Sequence, residues 1–341
     1  MVINLNSLMK NKVFIIAEAG VNHNGKLDLA YKLIDKAAEA NVDAIKFQTF
    51  TAENLVTKSA PLAKYQKKNL KIKNQYELLK KLEFTKTMHS KCIKRCKLKN
   101  IKFISSPFDI SDIHFLRKLN LNIIKIPSGE ITNLPYLKCL AKLKKKLILS
   151  TGMSKTREIS TALNILKKYG TKTNDISLLH CNSSYPAPYE DVNLKAMVFL
   201  KKKFNLKIGL SDHSLGIEVP IAAVALGAEI IEKHFTLSRN MIGPDHKSSI
   251  EPQELSKMVK SIRKIELALG SECKKITKSE IKNINIVRKS IVAKKFIAKG
   301  ELFTLDNLAF KRPGFGISPM YVDRLIGKTA KKNYKKDSMI K

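Results

Sequence analysis

Acidic residues are scarce in this chain: 29 Asp and Glu stand against 64 Lys and Arg, which gives a formal net charge of +35. Such a surplus raises the question of a nucleic-acid partner. However, only eight of the basic residues are arginines, and the lysines are scattered along the chain. A nucleic-acid groove favours clustered arginine with interleaved aromatic residues. We therefore expect solvated lysine faces and no nucleic-acid partner.

Long apolar runs are also missing. The longest, 220–228, is far shorter than the roughly 20 residues that a membrane helix needs. The first twelve residues have no apolar core followed by a small-residue cleavage site, so no signal peptide is predicted. The five cysteines are irregularly spaced and odd in number, which argues against a disulfide framework. We expect a cytoplasmic protein without membrane association.

With 341 residues, the chain is long enough for one large domain and a small one. A regular alternation of apolar runs and helical patterns extends to residue 270. A polar, lysine-rich linker is predicted at 271–285, and a small module of short apolar runs and turns at 286–341. So small a module buries a marginal core and is expected to dock on another surface.

Strand and helix patterns alternate through the first 270 residues. Eight strands are predicted at 13–18, 44–48, 101–105, 123–126, 147–150, 176–180, 207–210 and 229–233. Helical periodicity lies between and after them, at 27–40, 75–99 with a break near Phe84, 113–119, 134–143, 155–169, 194–204, 216–226 and 254–269. Eight strands, each followed by a helix, predict a (β/α)8 TIM barrel rather than an open sheet.

Polar residues follow nearly every predicted strand. Catalytic groups of such barrels lie at the carboxyl ends of the strands. Two histidines stand out there, because His213 and His234 end consecutive strands that a helix connects. A lone histidine at a strand end is more often a surface residue than a ligand. The nearby Glu232 and Asp245 favour a two-histidine metal site instead.

Ten short motifs along the chain together resemble the sialic acid synthase family. They are AEAGVNHNG (17–25), IKFQTF (45–50), SSPFD (105–109), KIPSGE (125–130), STGMS (150–154), HCNSSYPAP (180–188), GLSDHS (209–214), EKHFT (232–236), GPDH (243–246) and KRPG (311–314). The resemblance implies a TIM barrel followed by an antifreeze-like domain. It also implies a transferase that condenses phosphoenolpyruvate with an N-acylated hexosamine, giving a nine-carbon 2-keto sugar acid and phosphate for carbohydrate or polysaccharide biosynthesis.

The resemblance implies a role for individual residues. Phosphoenolpyruvate would be bound by two lysines and five hydroxyls: Lys46, Ser106, Lys125, Ser128, Ser150, Ser183 and Ser211. Glu18 would be the acid/base at the sugar, whose hydroxyls would be bound by Gln48, Glu130, Tyr185, Asp245 and Arg312. His213 and His234 would hold a divalent ion, with Glu232 on a metal-bound water. Two histidines with open positions suit Mn²⁺, with Mg²⁺ and Co²⁺ as alternatives, better than a closed zinc site.

The resemblance also implies a homodimer in which residues 286–341 lie over the neighbour's active site. The acceptor stays open between N-acetylmannosamine and 2,4-diacetamido-trideoxy sugars. The alternative functions are a pseudaminic acid synthase and another phosphoenolpyruvate-dependent 3-deoxy-sugar-acid synthase. A phosphosugar acceptor would need a phosphate site for the sugar. Ice or carbohydrate binding by 286–341 alone leaves the polar strand ends unexplained.

Overall fold

The computed structural model describes residues 12–62 and 74–341. The N-terminal stretch on which the signal-peptide prediction rests lies almost wholly outside these residues. The chain divides into two compact units, Met1–Gly270 and Ser271–Lys341. In the described residues, no helix is both long and apolar enough to cross a membrane.

Eight parallel strands close into a barrel in the first unit, in the order in which they occur along the chain. They are β1 (Phe14–Gly20), β2 (Ala44–Thr49), β3 (Lys102–Pro107), β4 (Ile123–Ile126), β5 (Lys146–Ser150), β6 (Ile176–Cys181), β7 (Lys207–Asp212) and β8 (Ile230–His234). The pairing of β1 with β8, from Phe14 opposite Ile230 to Glu18 opposite His234, closes the barrel. The predicted (β/α)8 barrel is confirmed.

Helices cover the outer face of the barrel. Their bounds are Leu27–Glu39, Ala52–Leu55, Gln75–Leu82, Lys86–Leu98, Ile110–Lys118, Leu134–Ala141, Thr156–Lys168, Tyr189–Val192, Leu194–Phe204, Glu218–Ala225 and Pro252–Leu269. The predicted break near Phe84 is confirmed. Thr85 is the N-cap of the second of the two helices there, and its hydroxyl accepts a hydrogen bond from the Met88 amide at 3.2 Å.

The barrel interior is built in layers, because inward positions recur at every second residue of a strand. An apolar layer is formed by Ile16, Ala44, Ile104, Ile123, Ile148, Leu179, Gly209 and Ile230. Two residues further along each strand lies a second layer, here called the polar layer: Glu18, Lys46, Ser106, Lys125, Ser150, Cys181, Ser211 and Glu232. Every strand therefore changes from apolar to polar, or to cysteine, in one inward step.

The second unit contains a helix, Lys278–Val287, and a small antiparallel pair, β9 (Ser290–Ala293) with β10 (Leu308–Lys311). The helix lies largely within the polar stretch 271–285. Its first turn is closed by a capping box in which Glu280 accepts a hydrogen bond from the Thr277 amide at 2.9 Å. A compact core packs around the strand pair, made of Ile291, Ala293, Ile297, Phe303, Leu308, Ala330, Tyr334 and Ile340.

Gly209 tests how tightly the apolar layer is packed. A methyl group added there would overlap the carbonyl oxygen of Ile230 and lie 2.7 Å from Leu179 Cδ2. Because the first of these atoms is backbone, Gly209→Ala should lower the free energy of unfolding by about 2 kcal/mol, measured by denaturant titration. Gly129→Ala, where no heavy atom lies within 4 Å of the added carbon, is the matched control. Equal stability of the two variants would contradict the packing described.

Candidate active site

A cavity of about 450 Å³ opens at the carboxyl end of the barrel. All eight residues of the polar layer line it. The loops that follow the strands add further side chains, among them Gln48, Ser128, Ser183, Tyr185, His213, His234 and Asp245. This is the end at which (β/α)8 barrels carry their active sites.

Four buried charges alternate in sign across the floor of the cavity. The Lys46 ammonium lies 2.8 Å from Glu18 Oε2 and 3.7 Å from Glu232 Oε2. The Lys125 ammonium lies 3.7 Å from the other oxygen of Glu232. All four residues are at most 4% exposed. Each ion therefore has a partner of opposite sign, which buried charges require.

The two lysines are also bonded to hydroxyls of the polar layer. Lys46 donates to Ser106 Oγ at 3.2 Å, and Lys125 donates to Ser150 Oγ at 2.6 Å. Ser211 donates to Glu232 Oε1 at 2.9 Å. Ammonium groups and hydroxyls on rigid strands form a site suited to a small anion.

Gly152 brings a second group of hydroxyls to the same wall of the cavity. Its amide donates to Ser128 Oγ at 3.0 Å, and a methyl group placed on it would overlap Ser183 Oγ. Only glycine allows the two hydroxyls to approach this backbone. Backbone amides that converge with hydroxyls bind phosphate and carboxylate oxygens.

The two carboxylates of the cluster differ in acidity. Burial, together with the negative charge of Glu232, raises the pKa of Glu18 to about 7 against the opposing effect of Lys46. Burial acts on Glu232 in the same direction, but Lys125 and Lys46 outweigh it and hold the pKa of Glu232 below its usual value. Two carboxylates with separated pKa values are typical of an acid/base site. Of these two carboxyl groups, Glu18 is the one whose pKa lies near neutral pH.

His213 and His234 lie side by side, with ring centroids 5.2 Å apart. His213 Nδ1 donates to the carbonyl of Asn182, and Nε2 lies 3.2 Å from Tyr185 Oη and 3.5 Å from Ser211 Oγ on the side of the cavity. A histidine whose second nitrogen is fixed by a carbonyl is the usual arrangement of a metal ligand.

His234 has the protonation state that a ligand needs. Burial, followed by the positive charges of His213 and Lys46, lowers the pKa of His234 well below its usual value. Its buried Nδ1 has no hydrogen-bond partner within the described residues. Two imidazoles near the Glu232 carboxylate fit a divalent ion. No cluster of three or more His, Cys, Asp and Glu side chains suited to a metal occurs in 12–62 and 74–341, so a closed four-ligand site does not fit.

A third group of side chains surrounds Gly20. A methyl group on Gly20 would lie 3.2 Å from Glu18 Oε1, 3.4 Å from Gln48 Nε2 and 3.7 Å from Asp245 Oδ2. Gly20 also has a φ of +51°, which favours glycine. Burial raises the pKa of Asp245 to about 6. Carboxyl and amide groups that converge on one small space are suited to sugar hydroxyls.

The loop that carries Asp245 is tied to the chain after β1. Ser249 Oγ donates to the Asp245 carbonyl at 2.7 Å and accepts from Asn22 Nδ2 at 3.0 Å. His246 Nδ1 lies 2.6 Å from Thr236 Oγ1. Asp245 is thus held near Glu18 although it lies on a loop.

The cavity brings together fourteen of the sixteen residues predicted from the sequence: Glu18, Lys46, Gln48, Ser106, Lys125, Ser128, Ser150, Ser183, Tyr185, Ser211, His213, Glu232, His234 and Asp245. Glu130 is not among the lining residues, and its carboxylate accepts from Asn133 Nδ2 at 2.6 Å. Arg312 lies in the second unit. Sequence reasoning missed Gly152 and Cys181. Cys181 is marked only by its position two residues after the apolar Leu179.

At one end of a closed barrel lie two buried lysines among hydroxyls, two carboxyl groups with different pKa values and two imidazoles. This combination is typical of a barrel enzyme. The NeuB family model matches residues 33–274, and the SAF domain model matches 288–341. The chain belongs to the NeuB family.

Three relatives illustrate the similarity. The chain is 55% identical to N,N'-diacetyllegionaminic acid synthase of Campylobacter jejuni, over 97% of this chain and 99% of that protein. It is 39% identical to a pseudaminic acid synthase of the same species, over 95% and 94%. A crystal structure of the N-acetylneuraminic acid synthetase of Leptospira borgpetersenii in complex with citrate has 41% identity and a TM-score of 0.71, over 80% of this chain and 90% of that one. The resemblance inferred from the motifs is confirmed.

The ion pair of Glu18 with Lys46 predicts how the pKa of Glu18 responds to loss of the lysine. Lys46→Met removes the nearest cation, so the pKa of Glu18 should rise from about 7 to a higher value, and its carboxyl should stay protonated to higher pH. The carboxyl infrared band, assigned by comparison with Glu18→Gln, measures this titration. Lys125→Met, which removes a more distant cation, should shift it less. A titration of Glu18 at lower pH in Lys46→Met would contradict the cause assigned here.

Proposed function

We propose that the chain is a transferase that condenses phosphoenolpyruvate with an N-acylated hexosamine to give a nine-carbon 2-keto sugar acid and phosphate. C3 of phosphoenolpyruvate forms a bond to the aldehyde carbon of the open-chain sugar, and water adds at C2. The bond from C2 to the original enol oxygen then breaks, and this oxygen leaves with the phosphate. The observation that carries this proposal is one cavity that joins an anion site on Lys46 and Lys125 to the His213–His234 pair. The family supports it.

The anion site is proposed to bind the phosphate and carboxylate of phosphoenolpyruvate. The lysines supply two buried positive charges, and the hydroxyls of Ser106, Ser128, Ser150, Ser183 and Ser211 supply donors around them. In the described cavity lining, Lys46 and Lys125 are the only lysines, and no arginine occurs. The lining therefore offers two ammonium groups, enough for one small anion.

Glu18 is proposed to act as the acid. A phosphate that binds beside Lys46 brings further negative charge close to Glu18 and favours its protonated form. The new C–C bond converts the aldehyde oxygen into an alkoxide, which needs a proton. Glu18 lies at the boundary between the anion site and the space around Gly20, where it can donate that proton. Glu232, which stays ionised, is proposed to orient water near the histidines.

His213 and His234 are proposed to hold a divalent ion. When bound, the ion would polarise the sugar aldehyde. Imidazole nitrogens with open positions for oxygen ligands suit Mn²⁺, our proposal for the metal, and Mg²⁺ and Co²⁺ remain the alternatives. Tyr185 stacks on His213 with ring centroids 4.2 Å apart and thereby fixes one side of this site.

The acceptor is proposed to be an uncharged sugar. Gln48, Asp245 and Glu18 surround the space beside Gly20, and a sugar phosphate would meet two carboxyl groups there. This observation disfavours a synthase that uses a phosphosugar. Because the identity with the legionaminic acid synthase exceeds that with the pseudaminic acid synthase of the same species, we propose a 2,4-diacetamido-trideoxy-hexose as acceptor and diacetyllegionaminate as product. N-acetylmannosamine is the second candidate.

The second unit is proposed to complete the site of a neighbouring subunit in a homodimer, with 1–270 as catalytic domain, 271–285 as linker and 286–341 as the docking domain. Arg312 is exposed, and no ion pair to it occurs in the described parts of the chain. It is therefore free to contact a sugar held elsewhere. A cytoplasmic location is part of this proposal, because phosphoenolpyruvate is a product of central metabolism there.

Phosphate release tests the reaction. We expect release from phosphoenolpyruvate only with an N-acylated hexosamine present, fastest with the 2,4-diacetamido-trideoxy sugar, and abolished by a chelator. Re-addition of Mn²⁺ should restore the rate, but not in His213→Ala. Release with arabinose 5-phosphate in place of the amino sugar, or full activity in chelator, would refute the proposal.

Arg312 tests the role of the second unit. Arg312→Ala should lower kcat/KM for the amino sugar by roughly tenfold to a hundredfold, with little change in KM for phosphoenolpyruvate, because a charge-assisted hydrogen bond to the acceptor is lost. Arg324→Ala, an arginine of the same unit whose guanidinium lies over the Tyr321 ring, is the control.

A mixed dimer separates the two subunit arrangements. If Arg312 serves the partner's cavity, a dimer of one His213→Ala chain and one Arg312→Ala chain contains one intact site. Mixing the inactive His213→Ala preparation with the weakened Arg312→Ala preparation should then raise the activity above that of the Arg312→Ala preparation alone. If Arg312 serves its own chain, mixing restores nothing. Unchanged kcat/KM in Arg312→Ala would remove the proposed role altogether.

A further inference from the structure

A buried ion pair lies directly behind the two histidines. Lys233 Nζ donates to Asp212 Oδ2 at 2.5 Å, and the two side chains are 0% and 1% exposed. Asp212 immediately precedes His213, and Lys233 immediately precedes His234. The two residues are also paired across the β7–β8 ladder. None of the roles proposed above uses this ion pair.

The pair cannot take part in the chemistry directly. Ser211 and Glu232 bond to each other inside the barrel, so the residues next to them, Asp212 and Lys233, point to the opposite face. Neither lines the cavity. Any effect on the site must therefore pass through the backbone that joins them to the histidines.

Ser214 extends the pair into a clamp around His213. Asp212 Oδ1 accepts hydrogen bonds from the Ser214 amide at 3.0 Å and from its hydroxyl at 2.7 Å. The Ser214 carbonyl accepts a second bond from Lys233 Nζ. The residues before and after His213 are thus both bonded to the residue before His234. We call Asp212, Ser214 and Lys233 the clamp.

His213 needs such support because it lies beyond the end of its strand. β7 ends at Asp212, and the last pair of the ladder is Asp212 with Lys233. The His213 backbone is held on its other side by the Ala187 amide, which donates to the His213 carbonyl at 2.8 Å. His234, by contrast, is still within β8. The clamp ties the less supported histidine to the better supported one.

We propose that the clamp is a positioning device that sets the separation and orientation of His213 and His234 for a divalent ion. The inference rests on the metal site of the proposed function. A buried ion pair is a weak source of stability, because desolvation offsets the attraction, and an apolar pair of similar volume would pack as well. Because the ion pair lies beside both histidines, its directional hydrogen bonds can fix the positions of the two rings, which an apolar pair would not do.

Binding of Mn²⁺, followed by the EPR signal of the free ion, tests the clamp without using activity. Asp212→Asn and Lys233→Met should each raise the Kd for Mn²⁺ by about tenfold or more, the loss usual when a group that orients a metal ligand is removed. Ser214→Ala, which keeps the ion pair and loses one hydroxyl, should raise the Kd by about twofold to tenfold. Thermal unfolding is measured on the same samples.

Asp43→Asn is the matched control. Asp43 precedes β2 at the opposite end of the barrel, accepts from the Ile15 amide at 2.9 Å and pairs with Arg263 at 2.9 Å. The Asp43→Asn variant loses a structural carboxylate, as Asp212→Asn does. Its Kd for Mn²⁺ should equal that of the wild type even where its Tm falls. The double variant Asp212→Leu, Lys233→Met removes both charges together, and it should keep the fold while its Kd for Mn²⁺ rises.

The outcomes separate this inference from the proposed function. Wild-type Kd values in the folded clamp variants, while His213→Ala loses binding, would overturn the clamp and leave the metal site standing. Equal losses of Mn²⁺ affinity in Asp43→Asn and Asp212→Asn at equal Tm would also overturn it, because the effect would then follow stability alone. A wild-type protein that binds no Mn²⁺, Mg²⁺ or Co²⁺ would remove the metal site and the clamp together.

Discussion

The ion pair between Lys46 and Glu18, with Glu232 on the other side of the lysine, is the contact on which the rest of the site depends. Four ions inside a barrel are tolerated only because each lies next to a charge of opposite sign. The arrangement also creates the difference between the carboxylates. Glu232 lies between two lysines and remains ionised, whereas Glu18 has one lysine and a neighbouring negative charge and holds its proton to higher pH.

The apolar layer beneath stabilises the barrel that holds this charge cluster. Large aliphatic side chains fill the barrel one inward step before the ions, so the strands are anchored by packing, and the ions need not contribute to stability. The same layer excludes water from the underside of the cavity. Electrostatic interactions above it are strengthened as a result. On every strand, the side chain that packs in the apolar layer and the side chain that lines the cavity are thus two residues apart.

Much of the fold followed from the sequence because the signals were local. Apolar runs such as 207–210 and 229–233 mark strands, and polar residues directly after them mark the site. What the sequence did not show depends on contacts between distant segments. The approach of Ser128 and Ser183 to Gly152 needs three loops in register. The placement of Asp245 near Glu18 needs Ser249, which donates to the Asp245 carbonyl and accepts from Asn22. Cys181 carries no polar signature, and Glu130 follows a strand without lining the cavity.

The side chains that line the cavity stand on two kinds of backbone. Lys46, Ser106, Lys125, Ser150 and Ser211 stand on strands of the closed sheet, while Asp245 and Tyr185 stand on loops. A sheet position is fixed by its neighbours on both sides, whereas a loop tolerates substitution and changes in length. The cavity positions on strands, which include Glu18 and Gln48, are therefore hard to alter without loss of the barrel. The loop positions are open to change, so a chain of this architecture can vary part of its cavity lining around a fixed set of strand residues.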